Sequence, residues 1–156
     1  SKKRVGGMTP EATYHFITTH SQLVTVDELV EAFGEDLLLP TQMPDGLELR
    51  KIYLWGNETI QAILSFSDRE ISDYREGKVT IQLKKPATTG LIPDDPNIVK
   101  VGDKLVSAMD SPTKPDSVLF FYHKSTYYLF TTTEYRKDTL FKIVENMRTM
   151  KSKDMG

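Results

Sequence analysis

The stretch Leu39-Pro40-Thr41-Gln42-Met43-Pro44-Asp45-Gly46-Leu47-Glu48-Leu49 divides this chain into two parts. Its two prolines and its Asp-Gly turn interrupt both helix and strand, because proline lacks an N–H and the residue before it avoids the helical region. A short amphipathic helix precedes the stretch. A strand meander follows it and is closed by one more amphipathic helix. That order predicts an α+β fold: a curved antiparallel sheet, a half-barrel of about six strands, with N-terminal helices and a C-terminal helix packed on it.

The elements are set by local signals. Thr9-Pro10-Glu11 opens a helix over about 10–18, with threonine as the cap, proline in the first turn and glutamate at the positive end of the helix dipole. Thr25 and Glu28 form a capping box for a second helix over 26–33, where Val26, Leu29, Val30 and Phe33 share a face and Gly34 stops it. Strands are predicted at Leu47–Trp55, Thr59–Ser67, Val79–Lys84, Lys100–Met109 (bent at Gly102-Asp103), Ser117–His123 and Thr126–Thr133. In the second of these Ile63 breaks the alternation. The last two meet in a tight hairpin at Lys124-Ser125. They are apolar on both faces, which predicts central strands covered on both sides. Pro86–Asn97 is a long loop, functional or mobile. A helix over about 138–149, capped by Asp138, carries Leu140, Phe141, Ile143, Val144, Met147 and Met150 on one stripe, and Phe141→Ala should cost about 3–5 kcal/mol.

The chain has 156 residues, which fits one domain at 9–150 between a disordered tail at 1–8 and a second tail at 151–156. A core of this size needs no staples, and the absence of cysteine excludes disulfides, thiol catalysis and thiolate metal sites. The 20 basic and 22 acidic residues leave a net charge of −2, too balanced for electrostatic capture of nucleic acid. No apolar run approaches the ~18 residues of a membrane span, and no signal-peptide core is present. The chain begins with Ser1, so a signal or membrane anchor upstream of it is an expectation. Lys2, Lys3 and Arg4, with Lys151 and Lys153 at the other end, are read as solvated tails or as a segment beside such an anchor.

Catalytic and metal chemistry find little support. His15 and His20 do not share a helical face, and neither they nor His123 belong to a His-Glu-x-x-His motif. Asp94, Asp95 and Asp103 offer hard oxygens but not the spacing of a calcium loop. No nucleophile elbow, dinucleotide fingerprint or phosphate loop occurs. The chain is therefore expected not to be an enzyme, with no cofactor and no metal. Asn57-Glu58-Thr59 matches the glycosylation triplet, which recurs often by chance. Aromatic residues carry the remaining signal. Trp55, before the Gly56-Asn57 turn, either packs on the meander or lines a sheet rim. Phe120, Phe121, Tyr122, Tyr127, Tyr128 and Phe130 form either a core or a ligand box. Trp55, Phe120, Tyr122, Tyr128 and Phe130 are the candidate ligand contacts.

Three features carry a family resemblance. They are the helix Val26–Phe33 leading into "LPTQMPDGLELRKIYL", the strand with Gly102-Asp103-Lys104, and the aromatic hairpin before "LFKIVENMR". Over about 25–150 the chain resembles a family of bacterial and archaeal extracytoplasmic domains of unknown function, related to the lipoprotein-carrier and sigma-regulator-sensor superfamily. The resemblance implies a half-barrel with helices on its concave side. It also implies an extracytoplasmic binding or sensing role, with a lipid-like or peptide ligand between sheet and helices. The alternatives are an interaction module without a pocket, which binds a partner domain, and a carboxylate-based hydrolase.

Overall fold

The structure, a computed structural model, describes residues 8–150. The basic clusters Lys2–Arg4 and Lys151, Lys153 lie outside the described residues, as do the segments 1–7 and 151–156. The element order is α1 (Pro10–His20), β1 (Gln22–Leu23), α2 (Val26–Phe33), β2 (Leu38–Pro40), β3 (Glu48–Gly56), β4 (Ile60–Ser67), β5 (Val79–Lys85), β6 (Ile98–Val101), β7 (Lys104–Asp110), β8 (Ser117–His123), β9 (Thr126–Thr132), α3 (Lys137–Glu145) and β10 (Met147–Thr149). The fold is α+β.

Eight strands form one open sheet in the order β1-β3-β4-β5-β9-β8-β7-β6, and each neighbouring pair is antiparallel. Two meanders therefore meet where β5 pairs with β9. The loop 86–97 carries the chain from β5 to the far edge, and β6 to β9 return toward the middle. Two strands exceed the expected six. One is the short β1. The other arises because the predicted bent strand at 100–109 is a hairpin, in which Gly102 at φ +64° reverses the chain between β6 and β7.

One face of the sheet carries the main core. Leu64, Ile81, Leu83, Leu119, Phe121, Tyr128 and Phe130 meet Leu29 and Phe33 of α2, and Leu140, Ile143 and Val144 of α3. α2 forms as expected, with both halves of its capping box made: Thr25 N–H donates to Glu28 Oε1 at 2.8 Å, and Glu28 N–H to Thr25 Oγ1 at 3.2 Å. α3 departs from expectation at both ends. Its cap position is Arg136, with Asp138 inside the first turn. It stops at Glu145, because Met147–Thr149 leave as β10 and pair with Leu38–Pro40 of β2. This small two-stranded ribbon joins the helices in covering the core. Phe141 is only partly buried, and Leu140, Ile143 and Val144 are the buried members of the helix.

The opposite face is covered over one part. α1 lies on β3 and β4, where Ile17 joins Tyr53, Trp55 and Ile63 in a second small cluster. Ile63, which breaks the alternation of its strand, is thus an apolar residue facing α1. Beyond α1 this outer face is open across β5, β9, β8 and β7. The expected cover on both sides of β8 and β9 is present on one side only.

Candidate functional site

The strand register arranges the outer face in transverse rows. Met109 pairs with Val118, Val118 with Thr131, Thr131 with Thr80 and Thr80 with Ser65. The next row runs Ser107, Phe120, Leu129, Gln82, Ile63, Tyr53. The third joins Tyr122, Tyr127, Lys84, Gln61 and Trp55. Each row is polar at β5 and carries an apolar or aromatic residue at β8, which Met109 extends onto β7 in the first row. Directly opposed residues on one face interact, so each row acts as a continuous strip.

The first row forms the floor of a groove of about 530 Å³. Met109 and Val118 are 53 % and 37 % exposed there, unusual for apolar residues in central strands. Thr80 and Thr131 bond to one another through their hydroxyls across the floor at 2.6 Å. One bank is the turn Tyr74–Gly77. It reaches the sheet because residue 77 is glycine: a Cβ there would stand 2.1 Å from Ser65 Oγ. Ser65 donates to the Tyr74 carbonyl at 3.0 Å, and the Tyr74 ring meets Tyr53 edge-on at 5.7 Å and Tyr14 of α1 at 6.0 Å. Burial raises the Tyr74 hydroxyl pKa above the ordinary tyrosine value.

The other bank is the loop 111–116, with Pro112 facing the groove. Arg136 pins this loop through bonds to the carbonyls of Ser111 at 3.0 Å and Lys114 at 2.8 Å. Asp110 steadies the same corner by accepting the Lys137 N–H at 2.7 Å and pairing with Arg136 at 3.4 Å. Asp116 also borders the groove, and its Oδ1 is shielded from water without a hydrogen-bond partner among the described residues.

The five candidate contacts are not brought together. Tyr128 and Phe130 lie in the main core with no exposed surface, and the Tyr128 hydroxyl accepts the Leu38 N–H at 2.9 Å. Burial holds that hydroxyl far above the ordinary tyrosine range. Trp55 sits under α1, 9 % exposed. Phe120 and Tyr122 are on the outer face, their rings near Tyr127 at 6.0 and 5.1 Å. Tyr122 and Tyr127 line a smaller pocket of about 340 Å³ with Lys84 and the segment Pro86–Thr89. Met109, Val118, Thr131 and Asp116 were not singled out from sequence. For Met109, Val118 and Thr131 the signal was the outer half of the alternation in β7, β8 and β9, which reads the same as a second buried face, and Asp116, in a loop, had none.

The acidic residues weighed for calcium have local roles. Asp95 ties the end of the long loop to β7: its carboxylate accepts from Ser107 Oγ at 2.6 Å and from the Asn97 N–H at 2.8 Å. Those bonds, Ser107 first, hold its pKa below the usual carboxylate value. Asp103 pairs with Lys104 at 3.2 Å. Among the described residues no three His, Asp or Glu side chains cluster as metal ligands, and no helix is long and apolar enough to cross a membrane. Comparison of the chain with family models, with curated proteins and with solved structures gives no match.

Proposed function

We propose that this protein is a non-catalytic, extracytoplasmic binding or sensing domain that holds a lipid-like or peptide ligand against the open face of its sheet. The groove over Met109, Val118 and Thr131 carries the proposal. Its volume of about 530 Å³ lies in the range of ligand sites, and it joins an apolar floor to a few polar groups at its rim. This seat differs from the one the family resemblance implies. The space between sheet and helices is occupied by Leu140, Ile143, Val144 and Phe33, whereas among the described residues α1 is the one helix on the outer face, whose remainder is bordered only by turns and loops. A half-barrel curvature of the sheet is part of the proposal, since it would wrap a ligand rather than present a plane.

Native mass spectrometry of protein purified from its source cells, with organic extraction, tests this reading. A co-purifying lipid or apolar peptide is expected. A clean apo mass, together with failure of the groove to take up any apolar probe, would overturn it. That result would favour the second reading, an interaction module, for which the exposed Leu105, Met109 and Val118 are the supporting observation. The extracytoplasmic setting rests on the resemblance alone, and recovery of the protein in the cytosolic fraction of its source cell would refute it.

A further inference from the structure

We propose that Asn57 is the acceptor of an N-linked glycan. The inference rests on the extracytoplasmic setting of the proposed function, where a membrane-bound transferase can reach the chain. The triplet Asn57-Glu58-Thr59 alone carries little weight, because such triplets recur by chance. Its place in the fold sets it apart from a chance match. The three residues form the whole β3–β4 loop, since Gly56 pairs directly with Ile60. Asn57 and Glu58 are exposed. Gly56, at φ +106°, lets this short loop close: a Cβ there would stand 2.1 Å from the Thr59 carbonyl oxygen.

The amide of Asn57 is also uncommitted. The chain has three asparagines. Asn146 donates from its side chain to the Lys142 carbonyl at 2.9 Å, and the Asn97 side chain bonds to Asp95. Asn57 makes no hydrogen bond among the described residues. A bulky, hydrated group on its Nδ2 therefore breaks no contact of the fold and stands in solvent. In the transfer, Nδ2 bonds to the anomeric carbon of an oligosaccharide carried on a lipid phosphate. The bond from that carbon to the phosphate oxygen breaks, and its electron pair leaves with the lipid phosphate. The amide proton passes to a base of the transferase, which recognises the Thr59 hydroxyl and leaves it unmodified. The loop lies at the opposite end of β4 from Ser65 in the groove row, about 17 Å along the strand from Ile60, so the modification is not placed on the ligand seat.

The test isolates the full chain from its source cells, fraction by fraction, and maps it by mass spectrometry after trypsin. Cleavage after Lys51 and Arg69 releases the peptide that holds Asn57. That peptide is expected to carry the added mass of a glycan. Asn57→Gln and Thr59→Ala should each abolish the addition, and Thr59→Ser should keep it. Asn57→Gln should leave the urea midpoint of the unglycosylated chain unchanged, because the side chain touches nothing in the fold. Added sugar that survives Asn57→Gln would overturn the assignment. An unmodified peptide from protein found outside the cytoplasm would overturn the glycan site and leave the binding reading standing. An unmodified peptide from protein confined to the cytosol would overturn the extracytoplasmic setting, and this inference with it.

Discussion

Lys124 and Ser125 close the β8–β9 hairpin with φ of 47° and 70°, so two L-residues with side chains occupy left-handed positions in succession. Two-residue hairpin turns with this pattern prefer Asn-Gly, because each left-handed residue with a Cβ is strained by roughly 1–2 kcal/mol. Replacing the pair by Lys124→Asn with Ser125→Gly should raise stability by about 1 kcal/mol, part of the relief being offset by the greater freedom of glycine in the unfolded chain. Urea unfolding would show it, and a lower midpoint would contradict it.

Tyr135 makes a different single-residue contribution. It donates to Asp45 Oδ2 at 2.9 Å, and burial together with that bond pushes its pKa up to about 12. The folded chain thus holds this proton more tightly than the unfolded one. The stabilisation is complete below the unfolded value of 10.0 and is lost as pH rises through about 12. In Tyr135→Phe the fall in stability over that window should be shallower, measured by urea unfolding at intervals across it. An unchanged slope would show that the Asp45 contact carries no linkage.

At the scale of elements, segments governed by their own residues were legible. α2 begins and ends where Thr25, Glu28 and Gly34 predict, because capping is a local interaction. The end of α3 was not legible. Met147 and Met150 continue the apolar stripe, but pairing with β2 outweighs helix continuation there, and that partner lies far away in sequence. The candidate site was half legible for a similar reason. Alternation in β8 sorts Val118, Phe120 and Tyr122 from Leu119 and Phe121, but does not say which set the helices cover.

The β2–β10 ribbon is tied to the sheet by a buried hydrogen bond, the Leu38 N–H donated to the Tyr128 hydroxyl. Tyr128→Phe leaves that N–H without a partner. It should cost about 1–3 kcal/mol and speed amide exchange in β2 and β10 more than in β4 or β5. Uniform exchange across all four strands would argue that the ribbon is held by packing alone.

For the whole molecule, the core depends on a helix that contributes three fully or nearly fully buried side chains. Leu140 has no exposed surface, and Leu140→Ala should cost about 2–5 kcal/mol, with Phe141→Ala costing less because that ring is only partly covered. Chemical denaturation of both variants would rank them, and the reverse order would mean that α3 presents a different face to the sheet.

The same dependence governs how the protein can be made. β2 finds its partner only in β10, and even the first contact beside that ribbon, Thr41 with Asn146, spans 105 positions. A chain still under synthesis can pair β3 through β9 while Leu64, Ile81, Leu119 and Phe130 lack α3. Emergence of the last segment, at about 5–20 residues per second, sets how long that surface stays bare. Ribosome-bound chains stalled before Lys137 should therefore engage holding chaperones, and chains extended past Thr149 should let them go.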